Sequence, residues 1–144
     1  MGSQAATAHL READLILRRL IDGLPPLDEA ARRSDRPRDP YGALLRAVVG
    51  QQLSTKAGRT IYGRMLDLFD GRPPTPRQLL DADPEAIRAA GLSRPKITYL
   101  RDLAEHVERG SLVLERLGDL SDHEVGEQLV AVKGLGRWTV DMFL

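Results

Sequence analysis

The residues best equipped for chemistry lie near the end of the chain, in the run Leu129-Val130-Ala131-Val132-Lys133-Gly134-Leu135-Gly136-Arg137-Trp138-Thr139-Val140. A helical pattern ends near Val132, two glycines bracket one apolar residue, and a new helical pattern begins. Gly134 and Gly136 permit positive φ and the close approach of another backbone, because neither carries a Cβ. Leu135 can tuck inward as a hinge pin. The amides after it then sit at a helix N-terminus, where unpaired N–H groups and the dipole favour an anion. Lys133 and Arg137 add charge and Thr139 a hydroxyl. A sequence-independent hold on a nucleic-acid phosphate is the natural use of such a turn. A plain helical hairpin closed by glycines would employ the same residues; the apolar spacing on both sides and the Trp after the second glycine favour the anion site.

Other chemistries find less support. There is no cysteine, which excludes a disulfide framework, a cysteine-ligated zinc and an iron–sulfur cluster within these residues. His9, His106 and His123 have no ligand spacing. Asp39, Asp81 and Asp83 read as caps or turn residues, and Asp141 lies three residues after Trp138.

The elements that must position these residues are helical almost throughout. Leu10, Leu17, Leu20, Ile21 and Leu24 can share one face of a helix that stops at Gly23 to Pro26. Residues 32–39 read as a charged, solvated connector. Asp39 caps a helix with Pro40 at its first position and Tyr41, Leu44, Leu45, Val48 and Val49 on the apolar side. Around Gly50 to Ser54 the pattern resets, and Ser54 caps a helix running to about Phe69, with Ile61, Met65, Leu66 and Leu68 inward. Thr75–Pro76 and Asp83–Pro84 are two further helix starts, the second stopped at Gly91. Ile97, Tyr99, Leu100, Leu103, Ala104 and Val107 outline a helix ending before Gly110. Ser121 with Glu124 is a capping box for a helix through Val130. The expectation is an all-α domain of short helices.

Composition agrees with a single globular domain. The chain has 144 residues, 42% hydrophobic and 29% charged, enough to bury a core. Its 21 basic and 21 acidic residues cancel, so only a local basic face can speak for nucleic acid. Lys56, Arg59, Arg64, Arg94, Lys96, Lys133 and Arg137 flank the apolar or glycine-rich turns, whereas acidic residues crowd 115–127. No apolar run approaches the roughly 18 residues of a membrane span, and the N-terminus carries no signal-peptide pattern. A cytoplasmic, nucleoid-associated protein is expected.

The glycine-bracketed segment resembles the helix-hairpin-helix of the HhH-GPD DNA glycosylase superfamily, and the run Gly134-Leu135-Gly136-Arg137-Trp138-Thr139-Val140-Asp141-Met142-Phe143-Leu144 is especially similar to the DNA-3-methyladenine glycosylase II type. Two upstream stretches agree in order and spacing. One is Ala47-Val48-Val49-Gly50-Gln51-Gln52-Leu53-Ser54-Thr55-Lys56-Ala57. The other is Gly91-Leu92-Ser93-Arg94-Pro95-Lys96, leading into a helix with Tyr99 and Leu100. The similarity runs from about Asp39 to Leu144, so the chain divides into residues 1–38, an N-terminal helix and connector, and residues 39–144, the glycosylase domain. Lys133 departs from the proline usual in the family.

The resemblance implies base excision repair. A monofunctional enzyme of this kind flips an alkylated base such as 3-methyladenine out of double-stranded DNA and hydrolyses its N-glycosidic bond. Gln52 matches the wedge that fills the vacated stack. Trp138 matches the aromatic wall of the base pocket, where a cationic base stacks on indole, and Met142 would complete that wall. A catalytic lysine takes the Trp138 position in relatives that also cleave the backbone, so hydrolysis by water is implied. Gln51, Ser54, Lys56, Lys133, Gly134, Gly136, Arg137 and Thr139 become the DNA-contacting set, with internal support of its turn as the other reading of Gln51. Backbone carbonyls of Val130, Val132 and Leu135 would hold a structural sodium or potassium ion.

The aspartate that would stabilise the cationic sugar is expected beyond Leu144. Val140, Phe143 and Leu144 are apolar residues of a helix begun only at about Arg137, so the fold reads as truncated within the second helix of the hairpin, and the chain itself as inactive. Two other readings fit the pattern. One is a non-catalytic helix-hairpin-helix DNA-binding module; the other is a helical protein-interaction module whose apolar end docks a partner or a second copy.

Overall fold

A computed structural model describes residues 3–25 and 39–143, with the side chains of Ser3, Gln4 and Met142 outside that description. The chain forms two compact units, Met1–Arg36 and Pro37–Leu144. Helices are the only regular structure among the described residues.

The first unit is a helical hairpin, α1 (Ser3–Ala13) and α2 (Leu15–Gly23). The single helix expected across Leu10 to Leu24 is interrupted at Asp14. Its carboxylate accepts the amides of Ile16 at 2.6 Å and Leu17 at 3.0 Å, which restarts the helix in a new direction. Arg11 and Asp22 close the hairpin at 2.7 Å. Leu17, Leu20 and Leu24 remain exposed. The connector at 32–39 lies outside the described residues except for Asp39.

The second unit is built by the local signals its sequence carries. Asp39 accepts the Gly42 amide at 2.6 Å to start α3 (Pro40–Gly50), and Ser54 accepts Ala57 N at 3.2 Å to start α4 (Thr55–Asp67). Leu68, expected inward, is the C-cap of α4 and stays 45% exposed, while Tyr62 takes the buried face. Thr75 and Gln78 form a capping box for α5 (Pro76–Asp81), and Asp83 caps α6 (Pro84–Ala89). Gly91, at φ +110, ends that turn with Ile61 packed over it. Helix α7 (Arg94–Glu108) follows, then a 3-10 helix (Leu114–Asp119), then α8 (Asp122–Val130) behind the Ser121/Glu124 capping box, and α9 (Arg137–Phe143).

The core draws on all of these helices. Leu44, Leu45, Val48, Val49, Met65, Leu79, Ile87, Leu100, Leu103 and Leu129 are completely buried. Apolar burial of this kind stabilises by about 1.5–3 kcal/mol per large side chain. Helix α3 is the central strut, packed by α4, α7 and α9, and its C-terminal end carries the first of two turns that make the candidate site.

Candidate nucleic-acid interface

The first turn spans residues 50–53. Gly50 O accepts Leu53 N at 3.1 Å, Gln51 has φ −52 and ψ 133, and Gln52 has φ +57. These are the angles of a type II β-turn, which places a left-handed residue third and favours glycine there. Here the third residue is Gln52, exposed to solvent. A side chain is thus retained where glycine would relieve strain, a pattern concentrated at functional loops.

The second turn spans residues 132–135. Val132 O accepts Leu135 N at 3.1 Å, and Gly134 has φ +82 at the third position, again a type II arrangement. Leu135 is buried at 2% exposure and Val132 at 1%, so the pin expected from the sequence is in place. Gly134 is required twice over. Its φ is left-handed, and a Cβ there would fall inside the base of the Tyr99 ring.

The two turns are fastened together. Gln51 Nε2 donates to Gly134 O at 2.7 Å and to Thr139 Oγ1 at 3.3 Å. Beneath them, one stripe of α7 supplies three supports. Lys96 Nζ donates to Val49 O at 2.7 Å, capping the end of α3. The Tyr99 ring lies under Gly134. Asp102 Oδ2 accepts the Lys133 amide at 2.8 Å. Burial pushes the Lys96 pKa below its ordinary value, because the ammonium has exchanged water for one carbonyl.

Trp138 stands outside this framework. On α9, directly after the second turn, it is 71% exposed. Its indole is therefore open to a ligand in this structure and takes no part in the core of the described residues. Lys133, Arg137, Ser54 and Lys56 are exposed nearby along the sequence of the same two turns.

Residues 45–139 match the HhH-GPD superfamily of base excision DNA repair proteins. The chain belongs to that superfamily. It is 41% identical over 114 residues, 78% of its length and 50% of the relative's, to DNA-3-methyladenine glycosylase 1 of Schizosaccharomyces pombe. The solved 3-methyladenine DNA glycosylase of that yeast, in complex with abasic DNA, superposes with a TM-score of 0.84 at 38% identity, over 97% of this chain and 68% of that one. The DNA-3-methyladenine glycosidase of Bacillus halodurans superposes at 0.71 with 42% identity, over 75% and 50%. The chain spans about half the length of the curated relatives it matches.

Within this HhH-GPD chain the expected site residues separate into two groups. Gln52, Trp138, Lys133, Arg137, Ser54 and Lys56 have exposed side chains available to a ligand, and Gly136 is open, with no atom near a would-be Cβ. Gln51, Thr139 and Gly134 are committed to one another inside the protein. Thr139 is only 7% exposed. Among the carbonyls expected to face a cation, Val132 O already accepts one turn hydrogen bond. The Met142 side chain lies outside the described residues. Sequence reasoning missed Lys96 and Asp102 as supports of the turns. Their partners are 47 and 31 residues away, and only the spacing 96, 99, 102 on one helix face hinted at them.

Three of the carboxylates considered from the sequence have other employment. Asp39 and Asp83 cap helices, and Asp81 pairs with Arg77 at 3.1 Å. Asp141 is exposed. His106 sits between Asp102 and Ser111, yet Ser111 Oγ donates its proton to His106 O at 3.0 Å, which makes Ser111 and His106 a helix-end brace and leaves that hydroxyl without a free proton.

Proposed function

We propose that this chain forms the DNA-gripping and base-recognising part of a monofunctional alkylbase DNA glycosylase, acting on alkylated bases such as 3-methyladenine in double-stranded DNA. The observation that carries the reading is Trp138, held in the open beside the Gly134–Leu135 turn at 71% exposure. An indole face stabilises a cationic or extruded base by about 1–3 kcal/mol. The Gln52 turn projects a polar side chain on strained backbone, suited to enter the stack the base vacates. Lys133 and Arg137 hold phosphates. Hydrolysis requires a carboxylate to stabilise the cationic sugar; we assign that role to none of Asp39, Asp81 and Asp83, which cap helices or pair with Arg77.

On the same reading, carbonyls of Val130, Val132 and Leu135 would bind a sodium or potassium ion. The donor set suits a hard cation, and Val132 O keeps one lone pair beyond its turn hydrogen bond. The ion would add positive charge beside a phosphate. No helix among the described residues is long and apolar enough to cross a membrane, and we place the protein in the cytoplasm with the nucleoid.

The test is fluorescence anisotropy with a duplex carrying one alkylated base and with its intact counterpart. Trp138→Ala is expected to weaken binding of the alkylated duplex about tenfold or more while intact-duplex binding changes little. Equal loss on both duplexes would remove Trp138 from the pocket and favour a plain DNA-binding module.

A further inference from the structure

We propose that Asp102 is a positioning residue for the DNA-gripping turn, acting through the Lys133 backbone amide. The inference rests on the DNA reading above and extends it to a helix that touches no DNA in that reading. In a type II turn the second residue's N–H has no partner inside the turn. Lys133 holds that position, and its N–H reaches Asp102 Oδ2 at 2.8 Å.

Distance decides what the carboxylate serves. Lys133 Nζ is 3.8 Å from Oδ1, and His106 Nε2 is 3.6 Å from Oδ2. Neither is hydrogen-bond length, whereas 2.8 Å to an amide is a short, charge-assisted bond. The Asp102 side chain is only 16% exposed, against 71% for Lys133, so the carboxylate is held while the ammonium is free to leave it. One turn earlier on α7, Tyr99 fills the space under Gly134. Helix α7 therefore fixes two consecutive residues of the turn, one by charge and one by shape.

The sign of one substitution separates positioning from bulk electrostatics. Asp102 carries negative charge next to a proposed phosphate contact. If charge alone mattered, Asp102→Asn and Asp102→Ala would both tighten duplex binding. A positioning role predicts a different order. Asp102→Asn keeps an oxygen that accepts the amide and binds as tightly as wild type or tighter; Asp102→Ala binds about tenfold more weakly.

A second pair tests the amide itself. Lys133→Ala removes the ammonium and keeps the N–H. Lys133→Pro also removes the N–H while suiting the second position of the turn. Beside Asp102, the proline variant is expected to bind about tenfold more weakly than the alanine variant; in the Asp102→Ala background the two converge within about twofold. Affinities for an intact duplex are measured by anisotropy on protein shown folded by circular dichroism. Tighter binding by Asp102→Ala, or an unchanged gap between the Pro and Ala variants in both backgrounds, overturns the inference alone. A folded wild-type chain that binds no duplex overturns the DNA reading and this inference with it.

Discussion

Gly134→Ala is the substitution whose consequence can be worked most fully from the geometry. At φ +82, an alanine pays the left-handed penalty of about 1–2 kcal/mol. Its Cβ would also meet Cγ, Cδ1 and Cδ2 of Tyr99. These atoms are the root of the ring, and they cannot swing aside without rotating the side chain out from under the turn. Overpacking of that kind costs about 1–3 kcal/mol, giving about 2–5 kcal/mol in all. At about 4 °C per kcal/mol for a domain of this size, the melting temperature should fall by about 8–20 °C. Two other glycines separate the causes. Gly71 has φ +73 with nothing within 4 Å of a would-be Cβ, so its alanine variant carries the backbone penalty alone, about 1–2 kcal/mol. Gly136 has open space and no positive φ, so Gly136→Ala should cost under about 1 kcal/mol. Urea and thermal unfolding of the three variants test the order. A Gly134→Ala variant no less stable than Gly71→Ala would refute the packing of Tyr99 against the turn.

Three further outcomes are expected. Gln52→Gly relieves left-handed strain of about 1–2 kcal/mol, offset by glycine's entropy of about 0.5–1 kcal/mol; melting temperature should hold or rise while affinity for an abasic duplex falls, and a variant that binds as wild type would deny Gln52 the wedge role. Gln51→Glu replaces the donor facing Gly134 O with a carboxylate and should cost about 1–3 kcal/mol at neutral pH; the deficit relative to wild type should shrink as pH falls toward about 4 and the acid regains a proton to donate, so a deficit that stays constant on acidification would contradict the hydrogen bond. Burial, with Asp39 adding to it and Arg46 opposing, pushes the Tyr62 pKa up to about 12. Because the folded value lies above the unfolded one of about 10, the stability it contributes is present below about pH 10 and lost as pH rises through about 12; Tyr62→Phe should flatten the alkaline fall of the urea midpoint.

What the sequence reveals about this fold follows the range of each interaction. Asp39, Ser54, Thr75, Asp83 and Ser121 all cap the helices assigned to them, because a cap is settled within three residues of chain. Gly91 and Gly110 stop helices at positive φ for the same reason. Asp14 is legible in type but not in consequence, since an apolar periodicity that continues past it outweighs one capping residue until the two amide bonds are seen. Leu68 fails differently. Its spacing puts it on the apolar face, but the helix ends one residue earlier and the periodicity no longer applies. The 3-10 helix, Leu114–Asp119, overlaps the acidic residues that crowd 115–127, though Leu114 and Leu117 are buried at the three-residue spacing of that helix.

The candidate site divides along the same line. Glycine, Lys, Arg and Trp in a compact segment announce the hairpin, and Trp138 is exposed on the helix that follows it. The contacts that hold the hairpin against the Gln52 turn span 83 residues from Gln51 to Gly134 and 31 from Asp102 to Lys133, and no local pattern encodes them. Their placement explains how the strain at Gln52 survives. A lone exposed residue at φ +57 would relax if its neighbours could move. Here the residue before it is tied to the second turn by an amide that Gly134 O accepts at 2.7 Å, and the backbone before that is tied to α7 by Lys96 at 2.7 Å. Releasing Gln52 would leave two carbonyls without their donors, at about 1–3 kcal/mol each, against about 1–2 kcal/mol of strain retained. Losing both donors costs more than the strain, so the Gln52 turn is held in its strained form by the same contacts that fix its distance from the Gly134 turn.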